Sequence, residues 1–218
     1  MIRIDTFEDA LLRVRNQVGT DRRIIGIVGK PGSGKSTLAE ALVVALGEGT
    51  ELLPMDGFHL SNAVLKSLGI ADRKGAPHTF DVHGYVGLLR RIRSEKSHPI
   101  YYPIFDREIE ESIAAQGAVR PTTQLIITEG NYLLLESGGW EEARPLLDEI
   151  WFVDVDDGLR LDRLIARHIR YGRSPSAAQA WAQGTDELNA IIVGESRQRA
   201  DVVLDFGTLA LSNGNLPR

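Results

Sequence analysis

The chain has no cysteine. Disulfides, thiolate metal sites and a thiol nucleophile are excluded with it. No apolar run approaches the roughly 20 residues needed to span a bilayer. Met1 to Glu8 lacks the basic start and apolar core of a signal peptide. These absences lead to the expectation of a cytoplasmic protein with no membrane partner. There is no excess of positive charge: the formal net charge is −5. A general nucleic-acid binder is therefore not expected, and no nucleic-acid partner is assigned. The five histidines (59, 78, 83, 98 and 168) show no metal-ligand spacing. Internal repeats, low-complexity segments and a guanine-reading N-K-x-D motif are also missing. What remains is ordinary for a globular protein: 218 residues, 43% hydrophobic and 25% charged. That length can bury a full core, and one domain spanning 1–218 is expected.

One stretch carries specific chemistry. Gly29-Lys30-Pro31-Gly32-Ser33-Gly34-Lys35-Ser36-Thr37 fits G-x-x-x-x-G-K-[ST], the phosphate-binding P-loop. The glycines let the backbone curl so that successive N–H groups point at phosphate oxygens. Lys35 is placed to reach the β- and γ-phosphates, and the Ser36 hydroxyl to ligate Mg²⁺. The flanks agree. Residues 23–28 are an apolar run that reads as a buried parallel strand. Residues 37–46 read as a helix closed by Gly47, whose N-terminus also attracts anions. The residues themselves thus imply a bound polyphosphate and Mg²⁺.

Other strands end in acids. Residues 51–55 form a short strand that leads to Asp56. Ligands of open α/β sheets sit at strand carboxyl ends, so Asp56 falls on the rim that carries the P-loop. As a turn residue before Gly57 it has a structural reading too. Residues 124–128 form a clear strand ending in Glu129, the arrangement that places an acid beside a P-loop to help hold Mg²⁺ or its waters. Residues 149–155 and 201–206 read as further strands, and 99–105, with two prolines, as an edge strand. Helices are expected over Phe7 to Val18, around Leu65, over 83–96 with Asp81 as its N-cap, around 140–147, and through most of 174–200. The tail from Ser212 to Arg218 reads as frayed.

Between residues 158 and 173 the composition shifts to arginine. Arg160, Arg163, Arg167 and Arg170 recur every three or four positions and share one helix face. Leu161, Leu164, Ile165 and Ile169 are expected to form the buried side. An arginine stripe in an acidic chain suits phosphate oxygens.

Asp56-Gly57-Phe58, Arg73-Lys74-Gly75-Ala76-Pro77 with Phe80-Asp81, and Glu129-Gly130-Asn131-Tyr132-Leu133 resemble segments of the P-loop kinases grouped with uridine kinase, type I pantothenate kinase and phosphoribulokinase. A bacterial nucleoside/nucleotide kinase-like or fructose-kinase-like subgroup is the nearest likeness, over about residues 24–206. The resemblance implies a P-loop NTPase α/β/α sandwich with a parallel sheet of about five strands and an arginine-bearing lid near 158–200. It implies ATP·Mg²⁺ as phosphoryl donor and a small hydroxyl compound as acceptor. It makes Asp56 the general base and Glu129 the metal's helper. Arg170 and Arg173 would close over the phosphates beside Lys35. Arg73, Lys74, Tyr102 and Arg107 would face the acceptor, joined by His59, Glu129 and Asn131 as substrate candidates. Gly57-Phe58-His59 replaces the serine–phenylalanine–tyrosine usual in uridine kinase, which puts uridine in doubt. The acceptor stays open among a sugar, a nucleoside and a pantothenate-like acid. Oligomeric state is not legible, a homodimer being one option. The alternatives are a P-loop ATPase or switch acting through a partner, and nucleotide binding without catalysis.

Overall fold

A computed structural model describes residues 1–19 and 21–205. The expected tail from Ser212 lies outside the described residues. Six parallel strands form the central sheet in the order β1-β8-β7-β2-β6-β3. Their ranges are Ile2–Ile4 (β1), Arg23–Gly29 (β2), Thr50–Pro54 (β3), Leu125–Glu129 (β6), Glu149–Asp154 (β7) and Val202–Asp205 (β8). The expected count of about five is corrected by β1, whose three residues are too short to register as a periodic run. Ile100–Asp106 (β4) and Glu111–Val119 (β5) pair antiparallel as a separate hairpin. The proline-rich strand has a partner that its sequence did not announce.

Seven α-helices accompany the strands among the described residues: Phe7–Arg15 (α1), Lys35–Leu46 (α2), Asn62–Ser67 (α3), Val82–Ser94 (α4), Asp157–Arg170 (α5), Pro175–Gln183 (α6) and Thr185–Glu195 (α7). Asp81 caps α4, its carboxylate accepting the Gly84 N–H at 2.9 Å. The helix expected near 140–147 is instead two 3₁₀ turns, Trp140–Glu142 and Arg144–Leu146. Pro145 inside this stretch prevents a continuous helix.

The sheet is buried on both faces, as parallel sheets are. In β2, Ile24 and Val28 join a core with α4 and the segment 132–147. Ile25 and Ile27 join the opposite core with α1 and α2. Gly26 leaves room for Leu147; a Cβ there would stand 2.9 Å from its Cδ1. The chain leaves β2 for β3 at the edge and returns to place β6 between them. That reversal opens a crevice at the strand carboxyl ends. The loops after β2, β3 and β6 all deliver their residues there.

Arg22 fixes the opposite end of β2. It is 5% exposed, and its guanidinium donates to the carbonyls of Ile92, Glu95, Arg120 and Thr123 at 2.9–3.0 Å. It thereby ties α4 and the turn before β6 to the central strand. Arg22→Ala should destabilise the fold by about 2–4 kcal/mol, since it strands several buried carbonyls. Denaturant unfolding checks this, and a loss below about 0.5 kcal/mol, the size of an ordinary surface substitution, would contradict it.

Candidate active site

The loop between β2 and α2 has the backbone that the motif demands. Gly32 and Gly34 have φ of +84° and +88°, left-handed values that L side chains adopt only with strain. Close approach adds a second constraint. A Cβ on Gly32 would lie 2.5 Å from the Arg160 carbonyl oxygen, and one on Gly29 would lie 2.4 Å from Ser33 Oγ. No side chain caps the N-terminus of α2, which leaves its first amides free for an anion. Ser33 Oγ is buried without a hydrogen-bond partner. Lys35 is 8% exposed, and its ammonium makes no hydrogen bond or ion pair among the described residues. Burial lowers its pKa, opposed by the charges of Glu129 and Asp56. A cradle with an orphaned hydroxyl and an unpaired buried cation fits a polyphosphate.

The metal candidates also meet. Glu129, at the end of β6, is 5% exposed and accepts the Ser36 hydroxyl at 3.1 Å. Burial raises the Glu129 pKa, with Lys35 pulling the other way. One hydroxyl beside one carboxylate fits Mg²⁺, which keeps several waters and takes few protein ligands.

Asp56 lies in a 3₁₀ turn, Met55–Phe58, directly after β3. Its Oδ2 accepts Arg107 Nη2 at 2.8 Å. Burial alone would raise its pKa. His59, charged only in the acid range where this carboxyl titrates, together with Arg107, Lys35 and Arg167, outweighs it and holds the carboxyl down at about 2.

Two cavities adjoin, one of about 450 Å³ and one of about 410 Å³. Lys35, Ser36, Arg107 and Arg167 line both and so mark their junction. Gly32, Gly34, Thr37 and Arg163 lie only on the phosphate side. Asp56, His59, Lys74, Asn131 and Arg173 lie only on the other. Pro31 lines that side too, while Lys30 turns away to Asp157 at 2.9 Å.

Several expected residues sit elsewhere. Tyr102 is 4% exposed, and its hydroxyl donates to the Leu52 carbonyl behind the cavity. Arg73 lines neither cavity, and its Nε is buried without a partner. Arg170, at the last turn of α5, also lines neither cavity; its guanidinium approaches the neighbouring Tyr171 ring at 6.0 Å. Lys74 lines the cavity, yet its ammonium is held by Asn62 Oδ1 at 2.6 Å and by the Glu110 carbonyl. Arg173 reaches the cavity and stacks on Trp181 at 4.1 Å.

The arginine stripe is corrected as well. Arg160, read as part of a phosphate-binding stripe, is fully buried and donates to Asp157 at 2.9 Å and Glu187 at 2.6 Å. Two carboxylates make that burial affordable. Of the expected buried side, Leu164 is buried and Ile169 is 41% exposed. The Arg167 guanidinium, two turns beyond Arg160, makes no hydrogen bond or ion pair among the described residues. Burial and the like charge of Arg107 lower its pKa. Periodicity found Arg167 on the stripe but could not say which turn of α5 faces the P-loop. Phe105 and Asn189 also line the cavity of about 450 Å³ without having been singled out.

The family model for "Phosphoribulokinase / Uridine kinase family" matches residues 24–208. The chain belongs to this family. It is 32% identical over 194 residues to a Schizosaccharomyces pombe protein with the provisional name uridine kinase C227.14, covering 84% of this chain and 83% of that one. It is 32% identical over 142 residues to a pantothenate kinase of Enterococcus faecalis, covering 62% of this chain and 46% of that one. A crystal structure from Silicibacter sp. TM1040, titled provisionally as a fructose transport system kinase, superposes with a TM-score of 0.82 at 35% identity. The superposition covers 91% of this chain and 98% of the other. As a family member the chain is an ATP-dependent small-molecule kinase, a phosphotransferase acting on a hydroxyl group. The family uses ATP and Mg²⁺ in general. No helix among the described residues is long and apolar enough to cross a membrane.

The Arg107–Asp56 pair yields a prediction about pH. Arg107→Met removes a cation that depresses the Asp56 pKa, while burial, which raises it, remains. The Asp56 titration should move up by on the order of one to two pH units. A carboxylate needed in its ionised form then loses activity at higher pH than in the wild type. An NMR titration of the Asp56 carboxyl carbon reads the shift, and an unmoved titration would contradict the electrostatic account.

Proposed function

We propose that this single kinase domain, with a lid over about 158–200, transfers the γ-phosphoryl group of ATP·Mg²⁺ to a hydroxyl of a small metabolite such as a sugar, a nucleoside or a pantothenate-like compound. The observation that carries this reading is the junction of the two cavities. An unpaired Lys35 and Arg167 stand there between the phosphate cradle and the Asp56 carboxylate. Loop amides of residues 34–37 bind phosphate oxygens, and Lys35 holds the charge at the transferred group. Ser36 and Glu129 hold Mg²⁺, which when bound neutralises charge on the phosphate oxygens. Asp56 accepts a hydrogen bond from the acceptor hydroxyl and aims its oxygen. Beside Arg107, Lys35 and Arg167 this carboxylate is a weak base. That suits a loose transition state, in which the proton leaves only as the new bond to phosphorus makes the hydroxyl acidic. Arg167 and Arg163 of α5 face the phosphate side, with Arg173 at the acceptor side; Arg170 is left out of the phosphate contacts. Closure of the lid excludes water that would otherwise hydrolyse ATP.

Asp56→Asn keeps the turn's shape and removes the base. Transfer should fall by on the order of 10²–10⁴-fold, with ATP affinity within a few-fold. Steady-state transfer and calorimetric ATP binding are the measurements; near-normal transfer would return Asp56 to the role of a turn residue. Loss of ATP binding as well would move it to the metal site.

Arg167→Ala should lower kcat by on the order of 10²-fold or more, while Arg170→Ala should stay within a few-fold of wild type. The reverse ranking in steady-state kinetics would overturn the choice of Arg167.

A further inference from the structure

His59 occupies a position that the transfer reaction does not use. Its ring is clasped between Phe80 and Phe105, with centroids at 4.0 and 4.7 Å. Its Nδ1 lies 2.7 Å from the Asp56 carbonyl oxygen. A carbonyl only accepts, so Nδ1 carries the proton. The same carbonyl takes the His59 backbone N–H at 3.1 Å, which fixes the ring to the turn that presents Asp56. Burial lowers the His59 pKa, with Asp56 opposing and Lys74 and Arg107 adding to the fall; the ring is neutral near pH 7. Nε2 is then a bare lone pair. It has no partner among the described residues, and the residue lines the acceptor-side cavity.

Asn189 and Asn131 line the same cavity. Asn189 donates its amide to the Gly75 carbonyl at 3.3 Å, which leaves its buried Oδ1 without a partner. Asn131 Oδ1 is buried and unpartnered too. A ligand that satisfies uncharged acceptors must bring donors. Phe105, on the same wall, offers an apolar face to the carbon skeleton.

We propose that His59 Nε2 accepts a hydrogen bond from a second hydroxyl of the acceptor, beside the one that Asp56 engages, and so selects polyhydroxylated acceptors of the sugar or polyol class over single alcohols. This rests on the kinase reading above. It adds a specificity-determining residue and narrows the acceptor.

Matched pairs test it: a panel of sugars and polyols, each beside its analogue lacking one neighbouring hydroxyl, in an ADP-release assay. The wild type should favour the fuller compound by at least about tenfold in kcat/KM, because a polar group built to pair is otherwise left bare. His59→Phe keeps the ring stack and removes the acceptor atom; the ratio should collapse toward one. A ratio that survives in the variant, or is absent in the wild type, overturns the proposal. If no compound raises ADP release above the water background, the kinase reading fails instead. The histidine is then judged by ¹⁵N NMR of the wild type at pH 7, with glycerol as the probe. A ring protonated at Nδ1, with an Nε2 signal that moves on adding glycerol, supports Nε2 as the hydroxyl-accepting atom of this cavity even then. A proton on Nε2, or a signal that glycerol leaves in place, overturns it.

Discussion

The site depends on charge taken out of water at the carboxyl edge of the sheet. Lys35, Arg107 and Arg167 stand with Asp56 and Glu129 in one crevice, three cations against two carboxylates. Desolvating each such ion costs several kcal/mol. Of the five, only Arg107 and Asp56 form a direct ion pair. Lys35 and Arg167 are compensated at longer range and keep their donors free. The folded chain therefore holds positive charge where phosphate oxygens complete it. Preorganised donors of this kind need no rearrangement when charge shifts in the transition state.

The surrounding fold keeps that arrangement in place. The switch in strand order brings the ends of β2, β3 and β6 together, and each end contributes one part of the site. Arg160 joins the P-loop to α5 and α7. Its backbone carbonyl crowds Gly32, while its side chain reaches Asp157 on α5 and Glu187 on α7. Gly75 plays a similar part on the other side. Its carbonyl accepts from both Tyr132 and Asn189, so the loop that carries Lys74 is fastened to β6's exit and to α7.

How much of this could be read beforehand follows from how local each feature is. The P-loop, Asp56 and Glu129 were legible because their geometry is set within a few residues of one strand end. The hairpin partner β5 was not. Ser112, Ala114, Ala115 and Gln116 give no apolar alternation, and much of the strand is exposed. The resemblance placed Tyr102 on the acceptor. The pleat sends it inward against Gly117, where a Cβ would stand 2.2 Å from its ring. The resemblance pointed to Arg170, which lines neither cavity, and the helical stripe names a face but leaves open which turn of α5 meets the P-loop. The fixed proton on His59 depends on a carbonyl in its own turn, which no spacing reveals.

The central claim is that the unpaired cations and Asp56 serve transfer to a hydroxyl and are shielded from water. ADP release by the intact protein with ATP and Mg²⁺, measured with and without a panel of hydroxyl metabolites, tests it most directly. The account predicts slow release alone and a rise of at least about tenfold with one class of acceptor, matched by phosphorylated product. Rapid ADP release that no acceptor increases would contradict it and point to an ATPase.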